Sequence, residues 1–262
     1  AGATLRPMAT RWDNAIIARL AAGDRCTDDF CGAVLVCSWP MPPEVALAYA
    51  KLSASLRAAL PPEAYIYPAS TLHCTVATLR AFTGGPLDTD ARRRLVAAWT
   101  PVLEAARRAP EWPKGEFQLR MGPPTLEGAA GIFRYEDSDG AVWAMRRCLE
   151  AAIVAAGGVP AIGGGDRSSA KPLPSFAVAP PPHLPDIVHS TAVRWSAEPP
   201  DREAAHAAFG RVAASWAPLG ITVQGARAVF ESTPYMHMPY GDEDGAAAHV
   251  FWEEDAPRRE HD

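Results

Sequence analysis

Short apolar runs alternate with amphipathic stripes along this 262-residue chain, and proline-bearing turns separate them. Residues 32–38 form a continuous apolar run that predicts a buried strand, ended by Trp39-Pro40-Met41-Pro42-Pro43. Val45, Tyr49, Leu52, Leu56 and Leu60 then fall on one face of a helix over about 44–60. Leu95, Val96, Trp99, Val102 and Leu103 do the same over 89–108, and Val142, Met145, Leu149 and Ile153 over 141–156. A further helix is expected from about 201 to 216, and a short helical pattern over 13–20. Residues 117–121 and 131–135 read as strands joined by a turn containing Gly122, Pro123 and Pro124. A last strand spans 221–224 and continues toward Val229-Phe230. Strands and helices alternate without requiring parallel pairing, so the expected class is α+β.

Two of the strand-like runs share a tripeptide. Thr71-Leu72-His73-Cys74-Thr75-Val76 and Ile187-Val188-His189-Ser190-Thr191-Ala192 each carry His-x-Thr between apolar residues, after a proline-bearing segment and before a candidate helix. Residues two apart on a strand point the same way, so each run presents an imidazole beside a hydroxyl, while Cys74 points toward the core. The two motifs sit in similar strand–helix surroundings. This predicts two related lobes about a pseudo-twofold, with both motif strands lining the groove between them. Residues 1–30 then form an appendage, 31–240 the bilobal domain, and 241–262 a solvated acidic tail.

The chemistry of the pair is legible without a cofactor. Histidine serves as base or acid near neutral pH, and two of them on opposite sides of a phosphorus atom move both protons of a phosphodiester cleavage. Hydroxyls of Thr75 and Thr191 can donate to the non-bridging oxygens of the transition state. Such a site needs no metal and no cofactor.

Charge narrows the ligand. The net charge is −5, but from residue 241 onward eight acidic residues face only Arg258 and Arg259, which leaves the body near neutral. A body so balanced does not coat long nucleic acid, so a small or single-stranded partner is expected. The five cysteines form no Cys-x-x-Cys pair and no zinc spacing, which reads as reduced thiols and a cytoplasmic setting, with a Cys26–Cys31 bridge as the alternative. No apolar stretch is long enough for a membrane span, and a monomer is expected. Tyr65, Tyr67, Trp195 and Tyr235 are candidates for stacking on a base or for the core, and Arg80, Lys171 and Arg194 for phosphate contact or for solvent. The glycine-rich stretch over 163–169 lacks a Gly-Lys-Ser/Thr ending and reads as a crossover. His237 and His249 flank turns near the tail and make a poor metal site.

The paired motifs resemble those of the two-histidine (2H) phosphoesterase superfamily, over roughly residues 32–235. That group includes RNA 2′,3′-cyclic phosphodiesterases and enzymes called 2′-5′ RNA ligases. The resemblance implies a bilobal fold, His73 and His189 as the catalytic pair, Thr75 and Thr191 as phosphate ligands, and hydrolysis of a 2′,3′-cyclic phosphodiester of a nucleotide or short single-stranded RNA. The alternatives are a 2′-5′ phosphodiester hydrolase or RNA ligase, or a non-catalytic nucleotide- or RNA-binding module. Family members often carry a base-contacting aromatic after the second motif. Here Arg194 stands close behind it and Trp195 follows; with Tyr67, these are the expected substrate contacts.

Overall fold

The computed structural model of the chain describes residues 15–24, 29–157, 182–237 and 249–254. Its elements are α1 (Ala15–Ala21), β1 (Gly32–Cys37), α2 (Pro43–Ala59), β2 (Ala64–Ile66), β3 (Cys74–Arg80) and α3 (Thr89–Arg108), then β4 (Phe117–Glu127), β5 (Ala130–Glu136), α4 (Ala141–Ala155) and β6 (His189–Trp195), and finally α5 (Arg202–Ala213), β7 (Leu219–Val223), β8 (Ala226–Glu231) and β9 (Val250–Glu253). Capping explains several starts. Asp88 and Asp201 accept from the backbone N–H of Ala91 and Ala204, and the Asp137 carboxylate accepts from Ala141 and Val142. Proline opens α2, where its missing N–H costs nothing.

The strands form two antiparallel sheets, ordered β3-β1-β8-β9 and β2-β6-β5-β4-β7. Helices α3 and α4 pack together on the first sheet, and α2 and α5 on the second. This is the bilobal α+β arrangement that the motif resemblance implies. The lobes correspond strand by strand, with β3-β1-β8 matching β6-β5-β4 in order. They are not consecutive halves of the chain, however. Helix α2 leaves the first sheet to cover the second, where the Tyr49 ring meets Phe133, and α4 leaves the second to cover the first. One apolar core runs through both lobes, from Leu35 and Trp99 to Phe133 and Phe209.

Four expectations are corrected. The 221–230 strand is two strands in different sheets, because Gly225, at φ 151°, lets the chain leave one sheet for the other. Pro123 and Pro124 lie within β4 at a register shift between Met121 and Pro124. There β4 has no second partner, so the missing N–H breaks no ladder. The hairpin turn is instead Gly128-Ala129, with Gly128 at φ 61°. The N-terminal appendage is docked, with Ile17 and Leu20 of α1 buried against Tyr67. In the tail, residues 250–253 extend the first sheet as β9. Trp112 donates to Glu254 at 2.7 Å, Trp252 donates to Glu104 at 2.8 Å, and Glu253 pairs with Arg227. Glu254 and Glu253 are therefore fixed partners of an indole and an arginine, not free charge in a solvated tail. Of the cysteines, Cys26 lies outside the described residues, and Cys31, Cys37, Cys74 and Cys148 are buried free thiols.

Trp252→Ala is expected to lower stability by about 3–5 kcal/mol, the usual range for truncating a buried aromatic. Urea denaturation checks this, and a solvated tail would show no change in midpoint.

Candidate active site

The apolar core occupies the helix-facing side of each sheet. The opposite faces carry the motif side chains and meet in a groove where β3 approaches β6. Cys74 and Ser190 are buried between half-buried His73 and Thr75, and between half-buried His189 and Thr191. Each motif strand has a β-bulge at the same place, three residues after its histidine. Leu35 pairs with Ala77 and Val36 with Thr75, which leaves Val76 over; Gly131 pairs with Val193 and Ile132 with Thr191, which leaves Ala192 over. The bulge resets the alternation. Thr78 on β3 and Arg194 on β6 therefore rejoin the motif face, and the next residues, Leu79 and Trp195, turn inward.

That reset overturns one expected contact. Strict alternation puts Trp195 beside Thr191, but the ring is 1% exposed and packs on Ala205, Leu60 and Leu126. Tyr67 is a second correction. Its ring is 2% exposed beneath Ile17 and Leu20, so it offers no open stacking surface. Its hydroxyl lies beside Arg194, which also covers the Tyr235 ring at 4.8 Å, so Tyr67 and Tyr235 form a platform for that guanidinium. Arg80 is not a phosphate ligand either, since it binds the carbonyls of Cys31, Gly84 and Gly85. Lys171 and the 163–169 stretch lie outside the described residues.

Both imidazoles are tied to the backbone two residues upstream. His73 Nδ1 lies 2.7 Å from the Thr71 carbonyl, and the His189 ring bonds the Ile187 carbonyl. A carbonyl only accepts, so Nδ1 of His73 carries the proton and Nε2 is left to act on a ligand. Burial lowers the pKa of His73 to about 4, with the charges of His189 and His237 adding to the effect. Burial also lowers that of His189, helped by Arg146 and Arg194 and opposed by Glu127. Among the described residues the Thr75 and Thr191 hydroxyls have no hydrogen-bond partner, which leaves them for a ligand. Arg134 stands across the ladder from His189 and pairs with Glu127 at 2.7 Å, so its charge is compensated there.

Three buried groups that sequence reading passes over join the motifs. Ser190, the polar exception in the second motif, donates to the His73 carbonyl and accepts from the Tyr135 hydroxyl at 2.7 Å. Arg146 on α4, 3% exposed, donates from Nε to Val76 at 3.1 Å, and from one terminal nitrogen to Thr75 at 2.8 Å and Ile187 at 3.0 Å. Its counterpart on α2 is Tyr49, whose hydroxyl lies 3.1 Å from the carbonyl of Ala192, the other bulge residue. The signal for Arg146 was present, because the residue falls inside the apolar stripe of α4 between Met145 and Leu149. His237 adds a third ring nearby, packed against Tyr65 and Tyr67, with Nδ1 on the Pro234 carbonyl at 2.8 Å. Among the described residues no three histidine, cysteine or carboxylate side chains are grouped to hold a metal ion, His237 and His249 included. No described helix is long and apolar enough to cross a membrane. A cavity of about 640 Å³ lies apart from the histidines, between Ser38–Pro43 and the β7–β8 turn, and its Arg227 is paired with Glu253.

No protein-family model matches the chain, and neither does any curated protein. Among solved structures it is similar to TT0787 of Thermus thermophilus, at 15% identity and a TM-score of 0.45, over 80% of this chain and 90% of that one. It is also similar to E. coli LigT complexed with 3′-AMP, at 12% identity and 0.42, over 81% and 91%. The LigT complex with NADP+ gives 12% and 0.41, over 81% and 90%.

Ser190→Ala leaves the Tyr135 hydroxyl and the His73 carbonyl without their shared partner and is expected to cost about 1–3 kcal/mol in urea denaturation. A pH dependence follows from the lowered histidines. The unfolded chain takes up protons near 6.5, whereas folded His73 does so only near 4. Their contribution to stability is complete above 6.5 and is lost as pH falls from 6.5 toward 4. Urea midpoints measured across that window are expected to decline in the wild type and to decline less in His73→Gln.

Proposed function

We propose that the protein is a metal-independent phosphodiesterase that opens a 2′,3′-cyclic phosphate on a nucleotide or a short RNA end. The observation that carries this reading is the matched pair of imidazoles, each held through one ring nitrogen by the carbonyl two residues before it. A binding module needs anion donors, but not two proton-transfer groups of equal build.

In the reaction the neutral Nε2 of one histidine takes a proton from water as it attacks phosphorus. The other, as imidazolium, protonates the departing ribose oxygen, and the bond from that oxygen to phosphorus breaks. Thr75 and Thr191 donate to the non-bridging oxygens as charge gathers there, and Arg194 supplies a fixed positive charge on the same face. An anion held between the rings favours protonation of one of them, so the acid forms with substrate in place.

Purified protein incubated with 2′,3′-cyclic mononucleotides in excess chelator, followed by phosphorus NMR, is expected to yield a single monophosphate isomer at full rate. Loss of activity in chelator, restored by a divalent ion, overturns the reading. Turnover of 2′-5′-linked dinucleotides but not of cyclic substrates would assign the alternative hydrolase. His73→Ala and His189→Ala are each expected to lower kcat by about 10²–10⁴-fold. Because kcat/KM reports the free enzyme, its bell is expected on the acid side of 6.5, with the kcat bell displaced upward.

A further inference from the structure

The groove is nearly symmetric in its motifs but not in what supports them. Behind the bulge of β6 stands a neutral phenol, Tyr49, and behind the bulge of β3 stands a buried cation, Arg146. The cation also reaches across to the other motif. The Ile187 carbonyl accepts from Arg146 at 3.0 Å and is the same carbonyl that holds the His189 ring. One guanidinium thus grips Thr75 and Val76 beside the first histidine and the anchor of the second. Its plane is fixed further by the Trp143 ring, 4.7 Å from the guanidinium carbon. A buried arginine is costly to desolvate, and an apolar residue at this place in the stripe of α4 would pack at lower cost.

We propose that Arg146 is a positioning residue for the reaction: it holds the two histidine strands at a set separation and orients the His189 imidazole through the Ile187 carbonyl that both groups share. The inference rests on the acid–base reading of the groove. A carbonyl already engaged by a cation is a weaker acceptor for an imidazolium, so Arg146 makes the two histidines inequivalent and biases His189 toward its neutral form. The other charges facing His189 are Arg194 on its own strand, Glu127 on β4 with Arg134 on β5, and His73 across the groove; Asp186 and Asp137 face Arg146. None of these bonds the Ile187 carbonyl in the structure.

Arg146→Met and Arg146→Lys in the full chain separate position from charge. Histidine NMR titration of the free protein is expected to place His189 higher in Arg146→Met by about half a unit or more, and near the wild-type value in Arg146→Lys. Turnover of a 2′,3′-cyclic mononucleotide is expected to fall about 10²-fold in kcat in both, with KM changed far less, because a lysine cannot span the three carbonyls. An unchanged His189 titration in folded Arg146→Met overturns the proposal, as does a wild-type kcat in Arg146→Lys. If Arg146→Met does not fold, the kcat of Arg146→Lys decides alone. Should the wild type turn over no cyclic phosphate, the reaction reading fails. The NMR arm then still tests whether the buried Arg146 charge holds His189 toward its neutral form, because it needs no substrate.

Discussion

Directional bonds onto backbone carbonyls at the meeting of β3 and β6 are what the site depends on. The two motif strands belong to different sheets and share no ladder among the described residues. Hydrophobic burial brings the sheets together, but it is indifferent to small sliding movements. The Tyr135–Ser190–His73 chain and the Arg146 fork are not, since each sets a donor against a particular carbonyl oxygen. In a buried setting such bonds are expensive to break, so the spacing of the imidazoles is fixed by the same atoms that join the lobes.

The paired motifs and most of the frame were legible from periodicity. Thr89–Arg108 and Ala141–Ala155 fall where their apolar stripes place them, and both His-x-Thr segments begin strands whose hidden residue faces the core. What alternation could not disclose was the bulge. Val76-Ala77 and Ala192-Val193 read as ordinary strand interior, and an inserted residue changes the facing of everything after it without changing composition. The exchange of Arg194 for Trp195 as the outward side chain follows from that single geometric event.

Other features were hidden because their signal lay in the partner. Ser190 looked like an imperfection in an apolar motif, yet its hydroxyl meets a carbonyl 117 residues earlier in the chain. Glu253 and Glu254 looked like part of a charged tail until Arg227, Trp112 and the Ala226 N–H are brought to them by the sheet. In each case composition describes the residue correctly in isolation, and the tertiary neighbour reverses its meaning.

The crossing of α2 and α4 has a consequence for the autonomy of the two lobes. Each half of the sequence contains a helix whose apolar stripe covers the sheet that carries the other half's motif strand. No single cut in the connecting segment separates one self-sufficient lobe from another. A half-chain by itself is an incomplete module, with an uncovered sheet face and a helix lacking a seat, and a second half is the natural occupant of both. The groove is thus the seam of an internal exchange, and the parts that carry the two His-x-Thr motifs are the parts that cannot be inherited separately.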